Sequence, residues 1–177
     1  RVTREGESQM ANDLVKIAKD KGIKYFLISY VDLFGVLRAI ASSAAAIQQM
    51  MDDGAGFAGF ATWLDMTPAH ADLFARPDPE SLIQLPWKPE VGWLASDLWM
   101  GGKEVADSPR AQLKKQIADA AKLGYRMKSG VECEFHLISQ DGKAIADHLD
   151  VQDKPCYDQQ ALMRRYEVIT EICDSML

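Results

Sequence analysis

The first forty residues alternate between helical and strand patterns of hydrophobic positions. Apolar residues spaced three and four apart predict an amphipathic helix over 7–21, and Gly22 can end it in the left-handed conformation. The run 23–31 is rich in β-branched and aromatic residues, which predicts a strand. The turn 32–35 leads into a second strand over 36–40, so the pattern predicts a β-hairpin. The apolar face of the helix comprises Met10, Leu14, Ile17 and Ala18.

Glycines and short elements dominate the next sixty residues. Ser42 or Ser43 can cap a helix that runs to Asp52. A loop with aromatic side chains follows, and two short strands are predicted at 81–85 and 91–100. We expect the loop glycines to permit close backbone packing rather than to contact a ligand. These glycines are Gly54, Gly56 and Gly59. The pattern predicts a small α+β unit of mixed strands.

A polar break at 101–104 predicts the boundary between two domains, which we place at 1–102 and 103–177. Ser108 as the cap and Pro109 as the first helical residue predict the start of a helix. The residues expected on its inner face are Leu113, Ile117, Ala120 and Ala121.

The segment after Gly124 is typical of a strand over 125–139 with a shorter partner over 143–148. A last helix, capped by Asp158, carries no stop signal before the sequence ends. Too few elements follow the predicted boundary to close a core. We therefore expect the chain to be the N-terminal portion of a longer protein.

Composition narrows the function classes. Hydrophobic residues make up 47% of the 177 residues, charged residues 26%, and the formal charge is −6. No basic run exceeds two residues, which argues against a nucleic-acid partner. No uncharged apolar stretch reaches 18 residues, and the N-terminus resembles no signal peptide. Three cysteines without paired spacing indicate reduced thiols, so we expect a cytoplasmic protein.

The strand predicted over 125–139 carries Glu132 and Glu134. Side chains alternate along a strand, so these carboxylates share a face with Cα atoms about 6.5–7 Å apart. Neighbouring carboxylates on a sheet repel each other unless water or cations neutralise them. Mg²⁺ and Mn²⁺ prefer such oxygen ligands. The pair therefore indicates either a divalent metal site or a solvated strand face.

Several segments, in order, resemble motifs of the glutamine synthetase family. Residues 30–38 (YVDLFGVLR) resemble its F-x-D-x-x-G-x-x-R hairpin, and 53–59 (DGAGFAG) its D-G-S-S-I-x-G loop. Residues 108–110 (SPR) resemble its x-P-R helix start, and 130–135 (GVECEF) its G-x-E-x-E-F strand. Two further matches are DLFARPDP at 72–79 and KPCYD at 154–158, the latter resembling the branch with type III-like enzymes and γ-glutamylmethylamide synthetases.

The resemblance implies a β-grasp-like N-terminal domain, followed by the start of an antiparallel α/β catalytic domain. It also implies a homo-oligomer, usually a dodecamer of two stacked hexameric rings, with active sites between neighbouring subunits. The implied reaction is ATP-dependent amide formation. Glutamate forms γ-glutamyl phosphate, and ammonia or a small amine then displaces phosphate to give glutamine or a γ-glutamylamide.

The resemblance also assigns roles to three acidic residues. Glu134 would hold the metal nearer glutamate, and Glu132 the Mg²⁺ or Mn²⁺ ion that bridges the ATP phosphates. Asp32 would reach a neighbouring subunit's site, bind ammonium and take its proton, which requires a base with a suitable pKa. An aspartate before a glycine is also common in hairpin turns, so turn chemistry explains Asp32 equally well.

Two departures from the family pattern stand out. The lysine and proline that usually follow the hairpin arginine are replaced by Ile40-Ala41-Ser42-Ser43-Ala44. The family's other metal ligands and its substrate-binding arginines lie further along the chain than residue 177. We expect this segment alone to be inactive.

Rival interpretations remain open. A non-catalytic structural or regulatory ring subunit could keep Glu132 and Glu134 while losing other ligands. A two-metal hydrolase could also use an acidic strand pair, although it would need further histidines or aspartates. The sequence leaves ammonia, methylamine and other amines open as acceptors.

Overall fold

The computed structural model describes residues 14–145, 147–149, 151–154 and 156–176. The chain divides into two compact units, the first extending to Met127 and the second beginning at Lys128. The predicted domain boundary after residue 102 is a different kind of division from this one, and it stays a prediction. Residues 7–13 of the first predicted helix, including Met10, lie outside the described residues.

A helix and a β-hairpin open the first unit. Helix α1 covers residues 14–21, and Gly22 follows with φ +70°, as predicted. Strand β1 (Tyr25–Val31) pairs antiparallel with β2 (Leu37–Ser43), which confirms the hairpin. A single 3₁₀ turn, Ala44–Ala46, leads from β2 into helix α2 (Ile47–Asp53).

Strand β6 (Val91–Met100) is the centre of the sheet. The other strands are β3 (Ala55–Phe57), β4 (Leu73–Pro77), β5 (Ile83–Gln84) and β7 (Lys103–Glu104). Strand β6 pairs in parallel with β1 and antiparallel with β4, which gives the strand order β2-β1-β6-β4-β3. The two short strands β5 and β7 also pair with β6. The first unit is a mixed α+β structure with a curled sheet.

The hydrophobic core lies between this sheet and the helices α1 and α2. Alternate residues of β6 are buried, as expected for a strand with one face on the core. Removing these side chains from water supplies the main favourable term in folding. The largest buried apolar side chains are Leu14, Phe26, Ile28, Ile47, Leu73, Leu94 and Leu98.

Three strands were not predicted from the sequence. Strand β3 lies within the predicted glycine-rich loop. Strand β4 lies in a stretch rich in proline and aspartate, which are depleted in strands. Strand β7 lies inside the predicted polar break, where Gly101 and Gly102 adopt φ values of +55° and +77°. The glycines therefore turn the chain within one sheet, between β6 and β7.

Helix α3 (Pro109–Lys122) starts after Ser108, as predicted, but the Ser108 hydroxyl makes no capping hydrogen bond. Its predicted inner face is wrong, because Leu113 and Ile117 are 61% and 60% exposed. Polar contacts at its first turn hold the helix instead. The Arg110 guanidinium binds both Asp78 and Asp97.

The second unit contains little regular sheet. The prediction of a continuous strand over 125–139 is wrong. In this segment only Ile138 pairs, through an isolated antiparallel bridge to Ile145. A strand is stabilised by hydrogen bonds to a partner, and the described residues supply only this bridge. The last helix is interrupted at Arg165, which separates α4 (Gln159–Arg164) from α5 (Tyr166–Met176). Its predicted cap is confirmed, because the Asp158 carboxylate accepts hydrogen bonds from two backbone N–H groups of α4.

Candidate functional site

The turn between β1 and β2 is organised around the buried side chain of Asp32. Its Oδ1 accepts hydrogen bonds from the backbone N–H groups of Phe34 (3.0 Å) and Val36 (2.9 Å). Its Oδ2 accepts a hydrogen bond from Nε of Arg38 at 2.7 Å. The residue as a whole is 1% exposed. Both carboxylate oxygens are therefore occupied, and the turn satisfies a buried negative charge.

The hairpin register explains why Arg38 reaches Asp32. Arg38 lies opposite Tyr30, two residues before Asp32, in the antiparallel ladder. Side chains of cross-strand neighbours lie within contact distance. The sequence motif alone assigns Arg38 no role, although its six-residue separation from Asp32 across a hairpin is a usable signal.

The electrostatic environment sets the protonation of this pair. Burial acts to raise the pKa of Asp32, but the Arg38 hydrogen bond and the N–H donors of Val36 and Phe34 outweigh it and lower the pKa. Burial also raises the pKa of the Tyr30 phenol; Arg38 opposes this shift and the Asp32 carboxylate adds to it. Asp32 is consequently an ionised carboxylate at neutral pH.

An open cavity of about 740 Å³ lies next to Arg38. The residues that line it are Arg38, Phe60, Ala61, Trp63, Asp65 and Met66. Trp63 also contacts Phe34 edge to face, with ring centroids 5.6 Å apart. This aromatic pair joins the β1–β2 turn to the loop after residue 59.

The loop over 59–66 carries local backbone strain. Trp63 and Asp65 adopt left-handed φ values of +62° and +49°. Such conformations cost non-glycine residues on the order of 1–3 kcal/mol each, and they persist only where surrounding contacts impose them. Two of those contacts are hydrogen bonds: the Leu33 N–H donates to the Thr62 carbonyl at 3.0 Å, and the Thr62 hydroxyl donates to the Gly59 carbonyl at 2.7 Å.

The glycine-rich segment serves packing, as its sequence predicted. A Cβ atom added at Gly54 would lie 2.9 Å from Cβ of Phe74, and one at Gly56 would lie 3.3 Å from the Phe74 ring. Strand β3 thereby approaches β4 closely. A side chain at Gly59 would collide with Met66. The shape of this region depends on the absence of side chains.

The acidic pair lies in the second compact unit. Glu132 and Glu134 are both exposed, on a segment without ladder pairing. No cluster of three or more His, Cys, Asp or Glu side chains suited to a metal occurs among the residues with described positions. The donor chemistry fits a hard divalent ion, but two carboxylates fill only part of the six positions that Mg²⁺ prefers. The metal-ligand roles of Glu132 and Glu134 stay predictions, as does the catalytic role of Asp32.

A second, smaller cavity of about 230 Å³ lies within the second unit. His136 and Asp147 are among its lining residues, together with apolar side chains of α5. The Arg164 guanidinium donates a hydrogen bond to Asp147 at 2.8 Å, which lowers the pKa of that carboxyl. Of the helices within the described residues, none has the length and apolar character needed to span a membrane.

Comparisons with known proteins identify the relatives of this chain. No protein-family model matches it. The glutamine synthetase of Rhizobium leguminosarum bv. phaseoli is 61% identical over 168 residues, which cover 95% of this chain and 39% of that protein. The glutamate–methylamine ligase of Methyloversatilis universalis is 35% identical over 162 residues, covering 89% of this chain and 37% of that protein.

The comparison with solved structures finds proteins of the same family. The GmaS structure in complex with ADP matches with 60% identity and a TM-score of 0.87, over 93% of this chain and 38% of that one. Ligand-free GmaS matches with 59% identity and a TM-score of 0.88, over 93% and 39%. The chain thus spans about two fifths of the length of these relatives. It belongs to the glutamine synthetase family, and its span fits the N-terminal portion of these proteins.

Proposed function

We propose that this chain is the N-terminal part of an ATP-dependent ligase that joins the γ-carboxyl group of glutamate to ammonia or a small amine. The observation that carries the proposal is identity of about 60% to a glutamine synthetase and to GmaS over more than nine tenths of the chain. In the reaction, a γ-carboxylate oxygen of glutamate attacks the γ-phosphorus of ATP and ADP leaves. The amine nitrogen then attacks the acyl carbon, phosphate leaves, and a base accepts a proton.

The finer fold assignment belongs to this proposal. A β-grasp-like domain combines a hairpin, a helix and a strand parallel to the first one. The hairpin β1–β2, helix α2 and the parallel pairing of β6 with β1 support that assignment. We assign 1–102 to this domain and 103–177 to the start of an antiparallel α/β catalytic domain.

Glu132 and Glu134 are proposed as two ligands of divalent metal ions, Mg²⁺ or Mn²⁺. Their exposure leaves both carboxylates accessible to ions. Ions held there would neutralise the negative charge of the phosphates during phosphoryl transfer. Glu132 would serve the ion on the ATP phosphates and Glu134 the ion nearer glutamate. Because two carboxylates leave a coordination shell incomplete, we expect the segment alone to be inactive.

Asp32 is proposed to bind the ammonium form of the amine and to accept its proton. Its ionised state favours a cation, and its lowered pKa favours cation binding more than proton uptake. Its side chain has no exposed surface in this chain, so contact with an amine requires a shift of the turn or of Arg38.

A homo-oligomeric ring, with active sites between subunits, completes the proposal. The β1–β2 turn exposes a row of large apolar side chains, which suits burial against another protein surface. These residues are Leu33, Phe34, Val36 and Leu37. We expect a dodecamer of two stacked hexamers.

A non-catalytic ring subunit of the same family is the alternative. The experiment is phosphate release by the full-length protein with glutamate, ATP and Mg²⁺, comparing ammonium with methylamine. We expect release that depends on glutamate and on an amine, and the faster amine identifies the acceptor. Absence of release with both amines, from a protein that assembles into rings, would support the non-catalytic alternative.

The metal assignment has its own test. In the full-length protein, Glu134→Ala should abolish phosphate release and leave the ring assembled, since removal of one ligand weakens the ion's site. Glu167→Ala, which removes an acidic side chain of α5, is the matched control and should retain turnover. Normal turnover of Glu134→Ala would rule the metal role out.

A further inference from the structure

Asp32 and Arg38 form a coupled pair in which only one member is accessible. The Asp32 side chain is fully covered, whereas 36% of the Arg38 side chain is exposed. Arg38 donates to Oδ2 of Asp32 and also lines the open cavity with Phe60 and Trp63. The arginine therefore contacts the buried carboxylate and also lines the cavity.

The contacts of Asp32 divide between the two oxygens. The turn's own N–H groups hold Oδ1, and these donors come from residues two and four positions along the chain. Arg38 holds Oδ2, and it is the cation that compensates the buried charge. Without it, a covered carboxylate keeps only neutral donors, and burial disfavours its ionised form.

We propose that Arg38 is a positioning residue for the ligase reaction, holding Asp32 in one orientation and as a carboxylate. This inference rests on the proposed function, in which Asp32 meets the amine. In this role Arg38 acts through Asp32, whose Oδ2 accepts its Nε hydrogen bond. A planar guanidinium fixes the direction of its Nε–H donor, which a flexible ammonium group cannot do equally well.

Other charged and titratable groups lie near the pair. The Tyr30 phenol faces it from β1, and Asp65 lines the cavity beside Arg38. The Tyr30 pKa is raised, so this phenol is neutral around pH 7. Arg38 is the positive group that contacts Asp32 directly. Removal of Arg38 should therefore raise the pKa of Asp32, so that the carboxylate is protonated at a higher pH.

The test uses the full-length enzyme and the variants Arg38→Gln, Arg38→Lys, Asp32→Asn and the double variant Arg38→Gln/Asp32→Asn. Arg110→Gln is the matched control, because Arg110 also forms a partly exposed ion pair with aspartate in the first unit. We measure kcat/KM for the amine, relative to wild type, across roughly pH 5 to 8. The ratio to wild type cancels the protonation of the amine itself.

Loss of the arginine should raise the pKa of Asp32 in the Arg38→Gln variant. Below that pKa, we expect the kcat/KM of Arg38→Gln relative to wild type to fall by up to about tenfold per pH unit. The KM for the amine should rise and the KM values for glutamate and ATP should stay unchanged. Arg38→Lys should recover part of the acid-side activity, because it restores the charge. In the Asp32→Asn background, Arg38→Gln should have no further effect.

Three results would overturn the proposal. One is a relative kcat/KM of Arg38→Gln that does not depend on pH. That is the behaviour expected of the control Arg110→Gln, which should lower activity equally at every pH if it lowers it at all. Another is an equal rise in KM for all three substrates. The third is an Arg38→Gln effect that persists in full in the Asp32→Asn background.

These outcomes are separable from failure of the proposed function. A wild-type enzyme that forms no amide with any amine overturns the proposed function, and the role of Arg38 with it. An active wild type with a pH-independent Arg38→Gln ratio overturns the role of Arg38 alone.

Discussion

The two compact units of this chain differ in what holds them together. In the first unit, β6 pairs with β1, β4, β5 and β7, and its inward side chains are buried. In the second, none of the described residues is fully buried, and sheet pairing is reduced to one bridge. The caps and turns of the second unit form nonetheless. Local sequence signals therefore form caps and turns in both units, whereas full burial of side chains, among the described residues, stabilises only the first.

The largest expected difference between the units concerns core truncation. Leu94→Ala removes a side chain that is 0% exposed at the centre of the sheet, so we expect a loss of about 2–5 kcal/mol in the free energy of unfolding. Val131→Ala removes a side chain that is 88% exposed in the second unit, and should change stability by less than about 0.5 kcal/mol. Chemical denaturation of both variants measures the difference, and equal losses would contradict this comparison.

A glycine in each unit gives a second contrast. A Cβ at Gly92 would lie 2.8 Å from Cε1 of the buried Phe26 ring, so Gly92→Ala should cost about 1–3 kcal/mol. A Cβ at Gly130 meets nothing within 4 Å, and its φ is not left-handed. Gly130→Ala should therefore be neutral or slightly stabilising, by up to about 1 kcal/mol. Thermal unfolding of the two variants compares them, and a harmless Gly92→Ala would show that Phe26 can move.

The contacts of α3 give a smaller effect. Arg110→Gln breaks the ion pairs with Asp78 and Asp97, which are partly exposed, so we expect a loss of about 1 kcal/mol that shrinks with added salt. Lys122→Gln removes a mostly exposed pair with Asp119 and should have no measurable effect. Denaturation at low and high salt checks both variants. An Arg110→Gln loss that does not depend on salt would indicate packing rather than charge.

The smallest expected effect is a change in the pH dependence of stability, and it is confined to acidic pH. Because the pKa of Asp32 is lower in the folded chain than in the unfolded one, its ionised form contributes stability above the unfolded pKa of about 3.9. That contribution is lost as the pH falls toward the folded pKa. Asp32→Asn should therefore flatten the dependence of unfolding free energy on pH below roughly pH 5. An unchanged acid slope would show that Asp32 is not held as a carboxylate.

Local signals predicted the elements that depend on a few neighbouring residues. The hairpin β1–β2 follows from a strand pattern on each side of an Asp-x-x-Gly turn. The start of α3 follows from Ser108-Pro109, and the start of α4 from the Asp158 cap. The turn and the two helix starts depend on contacts within about four residues, whereas the ladder between β1 and β2 joins residues up to Tyr25 and Ser43. The Asp158 cap of α4 forms in a unit where none of the described residues is fully buried.

Fewer features of the candidate site than of the fold follow from local sequence. Asp32, Glu132 and Glu134 were singled out from motifs, and their functional roles stay predictions. The pairing of Asp32 with Arg38, the strained loop at Trp63 and the open cavity came from the structure. The first depends on hairpin register and the other two on packing against the turn. The separation of Asp32 and Arg38 across the hairpin is a usable sequence signal, whereas the packing of the loop and the cavity leaves no local pattern in the sequence.

The sequence by itself determined the family, the hairpin, the helix starts and the packing role of the loop glycines. Only the tertiary structure decided that β4 and β7 join β6, that Arg110 anchors α3, and that residues 125–139 form no ladder. Strand pairing and burial are long-range properties. The same hydrophobic run is a strand where partners are present, as at 91–100, and remains unpaired where the described residues offer only a single bridge.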